Sequence, residues 1–249
     1  MLTKQRQAEI LALLKERGSI TAQELKDHFG ASESTIRRDL NYLHDTGALI
    51  KVFGGAVLPD TNVDRIHEDI MSEKKALHAE AKHQIGRYAA SLIVPDDFVF
   101  IDAGSSTGCM IPFITEKSAK YVTNAVAHAL VLSEMGFKVT LIGGDLKYST
   151  EAIIGNEAIL QLQKYTFTKG FFGSNAISRS KGFTTPDPNE AAIKEVALRN
   201  SREPFVLCDD SKFGHISAVR FADFTAATII TNREPSINYQ NAQNILIAK

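Results

Sequence analysis

The sequence predicts an α/β fold built from a small N-terminal helical domain and a larger, mostly parallel α/β domain. Two changes of pattern along the chain support this division. Amphipathic helices with short turns occupy residues 1–57, and short apolar runs alternate with helical segments across residues 73–249. Residues 58–72 lack a sustained period and are rich in Asp, Asn and Glu, so we assign them to a linker.

The first two helices are indicated by apolar periodicity and by their end signals. Residues 4–17 carry a stripe of Ile and Leu among charged residues, and Gly18 follows where a left-handed backbone ends a helix. Thr21 begins a second short helix, and Glu24 completes a capping-box pattern. The turn at Gly30-Ala31 then leads into a third helix.

The third helix has one apolar face and one face of hydrogen-bond donors. Ser32 suits its N-cap, and the core positions at i, i+4 and i+7 are Ile36, Leu40 and Leu43. The opposite side carries Ser34, Arg37, Arg38, Asn41 and Tyr42. Arginine can donate paired hydrogen bonds to guanine edges or to phosphate oxygens. Taken alone, this face is either a DNA-reading surface or a solvated helix face with two ordinary arginines.

The segment after the third helix predicts a wing. It reads as a short strand containing Lys51, a hairpin turn at Gly54-Gly55 and a second short strand ending at Val57. Residues 1–57 hold eight basic against seven acidic side chains, and the whole chain has a net charge of -1. DNA binding would therefore depend on where a few charges lie rather than on bulk charge.

Composition and cysteine usage limit the classes of protein to which the chain can belong. No apolar run approaches the roughly 18–20 residues of a membrane span, and no signal-peptide core follows the first residues, so we expect a cytoplasmic protein. Cys109 and Cys208 lie far apart in apolar surroundings, which favours free buried thiols. The seven histidines show no ligand-like spacing, and we assign no metal and no cofactor.

Seven short apolar runs predict the strands of the larger domain. They are residues 98–101, 121–122, 139–142, 170–172, 205–208, 228–230 and 245–247. Helical segments such as 125–134 and 191–200 lie between them, which implies a mostly parallel sheet covered on both faces. Sheets of this kind bind ligands in the crevice beyond the carboxyl ends of the strands.

Polar residues and glycines follow five of these strands. The set is Asp102, Gly104, Ser105, Ser106 and Thr107 after the first, Thr123 and Asn124 after the second, Gly143 and Gly144 after the third, Gly173 after the fourth, and Asp209, Ser211 and Lys212 after the fifth. The Gly104–Thr107 segment is either an anion cradle that fits a phosphate or a plain capped turn. Together these groups suit a phosphorylated polyol.

A helix near residue 190 has its own start signals. Asp187 caps it, Pro188 takes the first position and Glu190 is expected to close a capping box. Lys194, one turn later, is either an i, i+4 partner of Glu190 or a cation for the ligand, and we favour the ligand.

The N-terminal motifs resemble the winged helix-turn-helix of the DeoR family of bacterial sugar-responsive repressors. The resemblance rests on Arg6-Gln7-x-x-Ile10, Ser32-x-x-Thr35-Ile36-Arg37-Arg38-Asp39-Leu40 and Gly54-Gly55-Ala56. It implies that the third helix is the recognition helix, with Ser34, Thr35, Arg37 and Arg38 facing DNA, and we add Ser32, Asn41 and Lys51 to this set. We expect Asp39 to orient an arginine, since phosphates repel a carboxylate.

The strand-end residues are similar to the C-terminal sensor domain of the same family. The matching positions are the strand-end set given above, together with Gly155, Phe172, Lys194 and Phe213. The resemblance implies a fold related to ribose-5-phosphate isomerase and a sugar phosphate as inducer. The run Thr184-Thr185-Pro186-Asp187 resembles members that control fructose- or lactose-type phosphotransferase operons.

Two function classes follow. The first is a repressor of a carbohydrate-utilisation operon, a homodimer or homotetramer that binds paired half-sites in double-stranded operator DNA and is released by a phosphorylated sugar. The alternative is a sugar-phosphate isomerase with an appended DNA-binding head, with Asp102, Glu151, Asp209 and Lys212 as candidate acids and bases. The absence of an isomerase-like paired catalytic string favours the repressor.

Overall fold

The computed structural model describes residues 3–17, 19–46, 48–52, 54–57, 63–65, 78–235, 239 and 241–249. Its contacts divide the chain into two compact units, residues 1–62 with 235–242 and residues 63–234 with 243–249. Among the described residues, no helix is both long enough and apolar enough to cross a bilayer.

In its described residues, the first unit contains three α-helices and a small sheet. Its elements are α1 (Thr3–Arg17), β1 (Ser19–Thr21), α2 (Ala22–Phe29), α3 (Glu33–Asp45), β2 (Ile50–Val52) and β3 (Gly55–Val57). The strands form an antiparallel sheet in the order β1-β3-β2. The expected wing hairpin is confirmed, whereas β1 was not expected because three residues are too few to show alternation.

Apolar burial and capping explain why these helices form. Ile10, Leu14, Leu25, Ile36, Leu40 and Leu43 share one buried core, and burial of each such side chain stabilises the fold by roughly 1.5–3 kcal/mol. The capping box of α2 is present, because the Thr21 hydroxyl accepts from the Glu24 amide at 3.1 Å and Glu24 accepts from the Thr21 amide at 2.7 Å. Ser32 caps α3 through the Thr35 amide at 3.3 Å.

The second unit is built around a seven-stranded sheet. Its strands are β5 (Phe98–Ile101), β6 (Lys120–Thr123), β7 (Lys138–Leu141), β10 (Phe167–Gly173), β13 (Ser201–Leu207), β16 (Thr228–Thr231) and β17 (Ile245–Ile247). All six pairings are parallel, in the order β17-β16-β13-β10-β5-β6-β7. All seven expected strands are therefore confirmed in one sheet.

Helices link and cover these strands. They are α4 (Ala79–Ser91), α5 (Ser105–Gly108), α6 (Val126–Glu134), α7 (Asn156–Leu162) and α8 (Pro188–Arg199). The order of strands reverses between β5 and β10, because the chain runs outward through β6 and β7 on one side and through β13, β16 and β17 on the other. Such a reversal opens a crevice at the carboxyl ends of the two central strands.

Smaller sheets flank the main one. They contain β4 (Val63–Arg65), β8 (Asp145–Lys147), β9 (Ala152–Ile154), β11 (Ala176–Ser178), β12 (Gly182–Thr185), β14 (Ile216–Ser217) and β15 (Val219–Ala222). Strand β4 lies inside the expected linker 58–72 and pairs with β14, so that stretch is not wholly without secondary structure. The rest of the linker, and residues 73–77 at the start of the expected helix, lie outside the described residues.

Candidate functional sites

The outer face of α3 presents the expected donors. Ser34, Arg37, Arg38 and Asn41 are exposed and, with Glu33, line a shallow concave surface. Within the part of the chain that the structure describes, neither arginine has an acidic partner, so both guanidinium groups are open to a nucleic acid. Ser32 and Thr35 differ from these open donors. Their hydroxyl oxygens lie 2.9 Å apart and bind each other at the N-cap, and Thr35 is half-buried.

Asp39 lies on the opposite side of α3 and is buried. Its carboxylate accepts from Arg6 Nε at 2.6 Å and from Gln7 Nε2 at 3.1 Å. The expectation that Asp39 orients an arginine is confirmed, and the arginine belongs to α1. The motif residues Arg6, Gln7 and Asp39 therefore fix α3 against α1.

The wing reaches the same face of α3. Lys51 Nζ, on β2, donates to Asn41 Oδ1 at 2.7 Å, and the Lys51 amide donates to His44 Nδ1 at 3.4 Å. Both contacts join the wing strand to α3. A cation and an amide group thus lie beside the arginines on one exposed surface.

The second site lies at the carboxyl ends of β5 and β10. Asp102, directly after β5, is buried and binds the buried ammonium of Lys194 from α8. Lys194 Nζ also donates to the Gly173 carbonyl at 3.2 Å, and the Gly173 amide donates to Asp102 Oδ2 at 3.1 Å. A Cβ at Gly104 would lie 3.9 Å from Gly173 Cα, so the loop after β5 closely approaches the end of β10. Four predicted residues therefore meet at the crevice.

Burial raises the pKa of Asp102, and the Lys194 charge, its hydrogen bond and the Gly173 amide act in the opposite direction. The nearby Glu190 carboxylate raises this pKa further. The charge of Asp102 therefore depends on Lys194 remaining beside it.

Asp209 follows the neighbouring strand β13 and is fully buried. Its Oδ1 accepts from the Ser211 amide at 3.0 Å and from the Ser211 hydroxyl. Oδ2 has no hydrogen-bond partner among the described residues. Lys212 is half-buried on the same short 3₁₀ turn. Burial raises the pKa of the adjacent Cys208 thiol to about 12, so this free cysteine stays protonated.

Two side chains of the predicted set, one hydroxyl and one amide, serve the fold instead. Thr123 donates to the Ile101 carbonyl at 2.6 Å, and Asn124 accepts from the Ala103 amide at 2.8 Å and donates to the Ile153 carbonyl at 3.3 Å. These bonds hold the ends of neighbouring strands together. Internal backbone partners engage these side-chain groups, which argues against the expectation that they face a ligand.

The same observation argues against a ligand contact of the Thr107 side chain in the expected phosphate loop. Its fully buried hydroxyl donates to the carbonyls of Asp102 at 2.6 Å and Gly104 at 2.9 Å. Ser105 and Ser106 remain half-buried at the start of α5.

Gly143 and Gly144 lie at the end of the outer strand β7. Gly143 donates to Gln161 Oε1 at 2.7 Å, and a Cβ at Gly144 would lie 2.5 Å from the Ile154 carbonyl. This pair forms the turn into β8, two strands away from β5.

Sequence reasoning missed a largely buried polar cluster next to the crevice. Lys147 on β8 donates to Asp187 at 2.9 Å and to Glu190 at 3.1 Å, and Thr150 donates to Glu190 at 2.5 Å. Asp187 caps α8 as expected, but Glu190 binds this hairpin instead of closing the box. Lys194 likewise binds Asp102 rather than Glu190. The short hairpin of β8 and β9 gave no periodic signal that could have revealed the cluster.

Comparisons with known proteins agree with this two-part architecture. Residues 6–62 match the family model of the DeoR-like helix-turn-helix domain, and residues 77–233 match that of the DeoR C-terminal sensor domain. The chain is thus a DNA-binding regulator with a separate sensor domain.

Relatives match along nearly the whole chain. The HTH-type transcriptional regulator FruR of Bacillus subtilis, described as uncharacterized, is 40% identical over 100% of this chain and 98% of its own length. The lactose phosphotransferase system repressor of Staphylococcus aureus is 32% identical over 89% of this chain and 88% of its own. The protein belongs to the DeoR family of transcriptional regulators.

Similarity to solved structures is weaker. Ribose 5-phosphate isomerase A of Methanocaldococcus jannaschii shares 12% identity and a TM-score of 0.40 over 54% of each chain. A similarity at this level carries no argument about function.

Proposed function

We propose that this regulator represses a carbohydrate-utilisation operon and that a phosphorylated sugar, bound at the carboxyl ends of β5, β10 and β13, lowers its affinity for operator DNA. The exposed arginines of α3 and Lys51 of the wing would contact the duplex. The residues proposed for the effector are Asp102, Gly104, Ser105, Ser106, Gly173, Lys194, Asp209, Ser211 and Lys212.

One observation carries the effector proposal. Lys194 and Asp102 lie buried at the point where the strand order reverses, and Asp209 Oδ2 is buried nearby on the adjacent strand without a described partner. An ammonium group suits a phosphate, and a carboxylate oxygen suits a sugar hydroxyl. A ligand that carries both a phosphate and a sugar hydroxyl would therefore give a partner to Lys194 and to Asp209 Oδ2.

The names of relatives support a carbohydrate link. The Staphylococcus aureus relative is named a lactose phosphotransferase system repressor.

Paired half-sites in operators favour a homodimer or homotetramer. The effector can release DNA only through different affinities for the DNA-bound and free conformations.

Fluorescence anisotropy with the DNA upstream of the chain's own gene tests the proposal. Operator affinity is measured during titration with phosphorylated hexoses, pentoses and trioses, and each unphosphorylated sugar serves as a control. We expect at least one phosphorylated sugar to raise the Kd for DNA while its unphosphorylated counterpart does not. An unchanged Kd across the panel would reject sugar-phosphate control, and turnover of ribose 5-phosphate by the purified chain would favour an enzyme.

A further inference from the structure

The Asp102–Lys194 ion pair occupies the position in which the proposed effector needs a cation. The side chains of Lys194 and Asp102 are 5% and 2% exposed. Among the described residues, Lys194 Nζ donates to the Asp102 carboxylate and to the Gly173 carbonyl. An anionic ligand that reaches Lys194 must therefore compete with the carboxylate of the protein itself.

Losing Lys194 would leave Asp102 in poor surroundings for a negative charge. On α8, Glu190 lies one turn before Lys194 and is occupied by Lys147 and Thr150 of the β8–β9 hairpin. On β10, only the Gly173 amide donates to the Asp102 carboxylate. An anionic group brought in by the ligand would repel the Asp102 carboxylate, in addition to the repulsion from Glu190.

Other titratable groups around the crevice do not replace Lys194. After β13, Cys208, Asp209 and Lys212 interact electrostatically, and the Lys194 charge also reaches Cys208. On α6, His128 lies against Gly108 at the far end of the turn after β5. A buried, unpaired carboxylate has a high free energy. Protonation of Asp102 is therefore the most favourable response.

Resting on the proposed function, we propose that an anionic group of the effector displaces the Asp102 carboxylate from Lys194 and that Asp102 takes up one proton from solvent as it does so. The anion then pairs with Lys194, and neutral Asp102 can donate a hydrogen bond to the ligand or to the Gly173 carbonyl. Burial, which raises the pKa of Asp102, acts in the direction that this exchange requires. Effector binding and proton binding are thereby linked.

Isothermal titration calorimetry at pH 7.0 tests the proton count. The full chain is titrated with fructose 1-phosphate, ribose 5-phosphate and inorganic phosphate in PIPES and in imidazole, two buffers of different ionisation enthalpy. We expect the buffer dependence of the binding heat to report an uptake approaching about one proton per bound anion. The Asp102→Asn variant should bind anions with that uptake removed, which separates Asp102 from the titration of the phosphate itself.

A matched control exists at the other end of β5. Asp97 forms a second buried pair, with Lys169 Nζ at 2.8 Å, beside the amino end of the strand. Asp97→Asn should leave the proton uptake as in the unmodified chain. Binding with no buffer dependence, or with the same dependence in Asp102→Asn, would overturn the proposal and leave the proposed function intact. No binding heat with these probes, together with an unchanged operator Kd across the full panel of phosphorylated sugars, would reject both.

A second measurement needs no ligand. In Lys194→Met, the cation is absent, so the pKa of Asp102 in the folded chain should lie above the unfolded value of about 3.9, and stability against urea should rise as the pH falls from 8 toward that value. Adding Asp102→Asn to this variant should remove the pH dependence and restore stability at pH 8. If the single variant does not fold, the double variant still should, and a double variant that also fails to fold, or a single variant with no pH dependence, would contradict the proposal.

Discussion

Asp39 of α3 accepts a hydrogen bond from Arg6 Nε of α1 at 2.6 Å, and both side chains are largely withdrawn from solvent, at 2% and 12% exposure. This contact joins two motif fragments that lie 33 residues apart in the sequence. This contact fixes α3 against α1. The arginines that follow Ile36 can therefore point outward in one defined direction.

Asp39→Ala should destabilise the first unit by roughly 3 kcal/mol, because removing one partner leaves a largely buried guanidinium group without its counter-charge. Urea unfolding followed by circular dichroism measures the change. Glu9→Ala is the matched control, because Glu9 forms an exposed pair with His28 and its loss should change stability by less than about 1 kcal/mol. Equal losses in both variants would contradict a structural role for Asp39.

Arg38→Ala should reduce operator affinity by roughly 1–3 kcal/mol if its guanidinium reads a base, with little effect on folding because the side chain is exposed. Anisotropy with operator and with random DNA of equal length distinguishes the possibilities. A loss confined to operator identifies a base contact. Equal losses on both duplexes would identify a phosphate contact, and no loss on either would remove Arg38 from the interface.

Gly55→Ala should disrupt the wing more than Gly54→Ala. A Cβ at Gly55 would lie 2.3 Å from the Ile20 carbonyl of the neighbouring strand, so β1 and β3 must separate. Gly54 has open space but a φ of +84°, which costs an alanine about 1–2 kcal/mol. We expect Gly55→Ala to give the lower melting temperature and the weaker operator binding, since Lys51 lies on the adjoining strand. A reversed order of the two variants would contradict this account.

These cases show what the sequence predicts well. Apolar runs such as 98–101 identify strands reliably, because strands buried on both faces carry no polar alternation. The start of α8 was predicted equally well, because the N-cap Asp187 and Pro188 at the first helical position depend only on neighbouring residues. Short pairings such as β8 with β9 were missed, since three residues do not establish a period.

Site residues were predicted from their residue type and from their position at strand ends. These two features do not show which way a side chain faces. Asp102 and Thr123 each lie at the end of a buried strand. The sequence alone does not distinguish a side chain facing the crevice from one turned toward a neighbouring carbonyl, as Thr123 is. The partner of Lys194 was also hidden, because Asp102 lies 92 residues away.

Acid should weaken the second unit through Asp97. Burial raises the pKa of this carboxyl, but hydrogen bonds from Lys169, the Val94 amide and Thr168 together hold it below its usual value. A lowered folded-state pKa means that the stabilisation is present above the unfolded value of about 3.9 and is lost as the pH falls through the folded value. Asp97→Asn should therefore lose stability at pH 7 and show a shallower decline toward pH 3. Parallel urea curves for both proteins across this range would contradict the assignment.

Lys212→Ala should weaken the response to effector without changing operator affinity in its absence. Lys212 is half-buried on the turn that also holds Asp209, so its ammonium can reach an anion bound in the crevice. A lost hydrogen bond to a charged group corresponds to about 10- to 100-fold, and we expect the effector concentration for half-release of DNA to rise by that amount. Lys138→Ala is the control, because this exposed lysine begins β7 at the amino end of the sheet. If both variants respond alike, bulk charge rather than a specific contact governs the response, whereas a changed operator Kd without effector would indicate that Lys212 supports DNA binding instead.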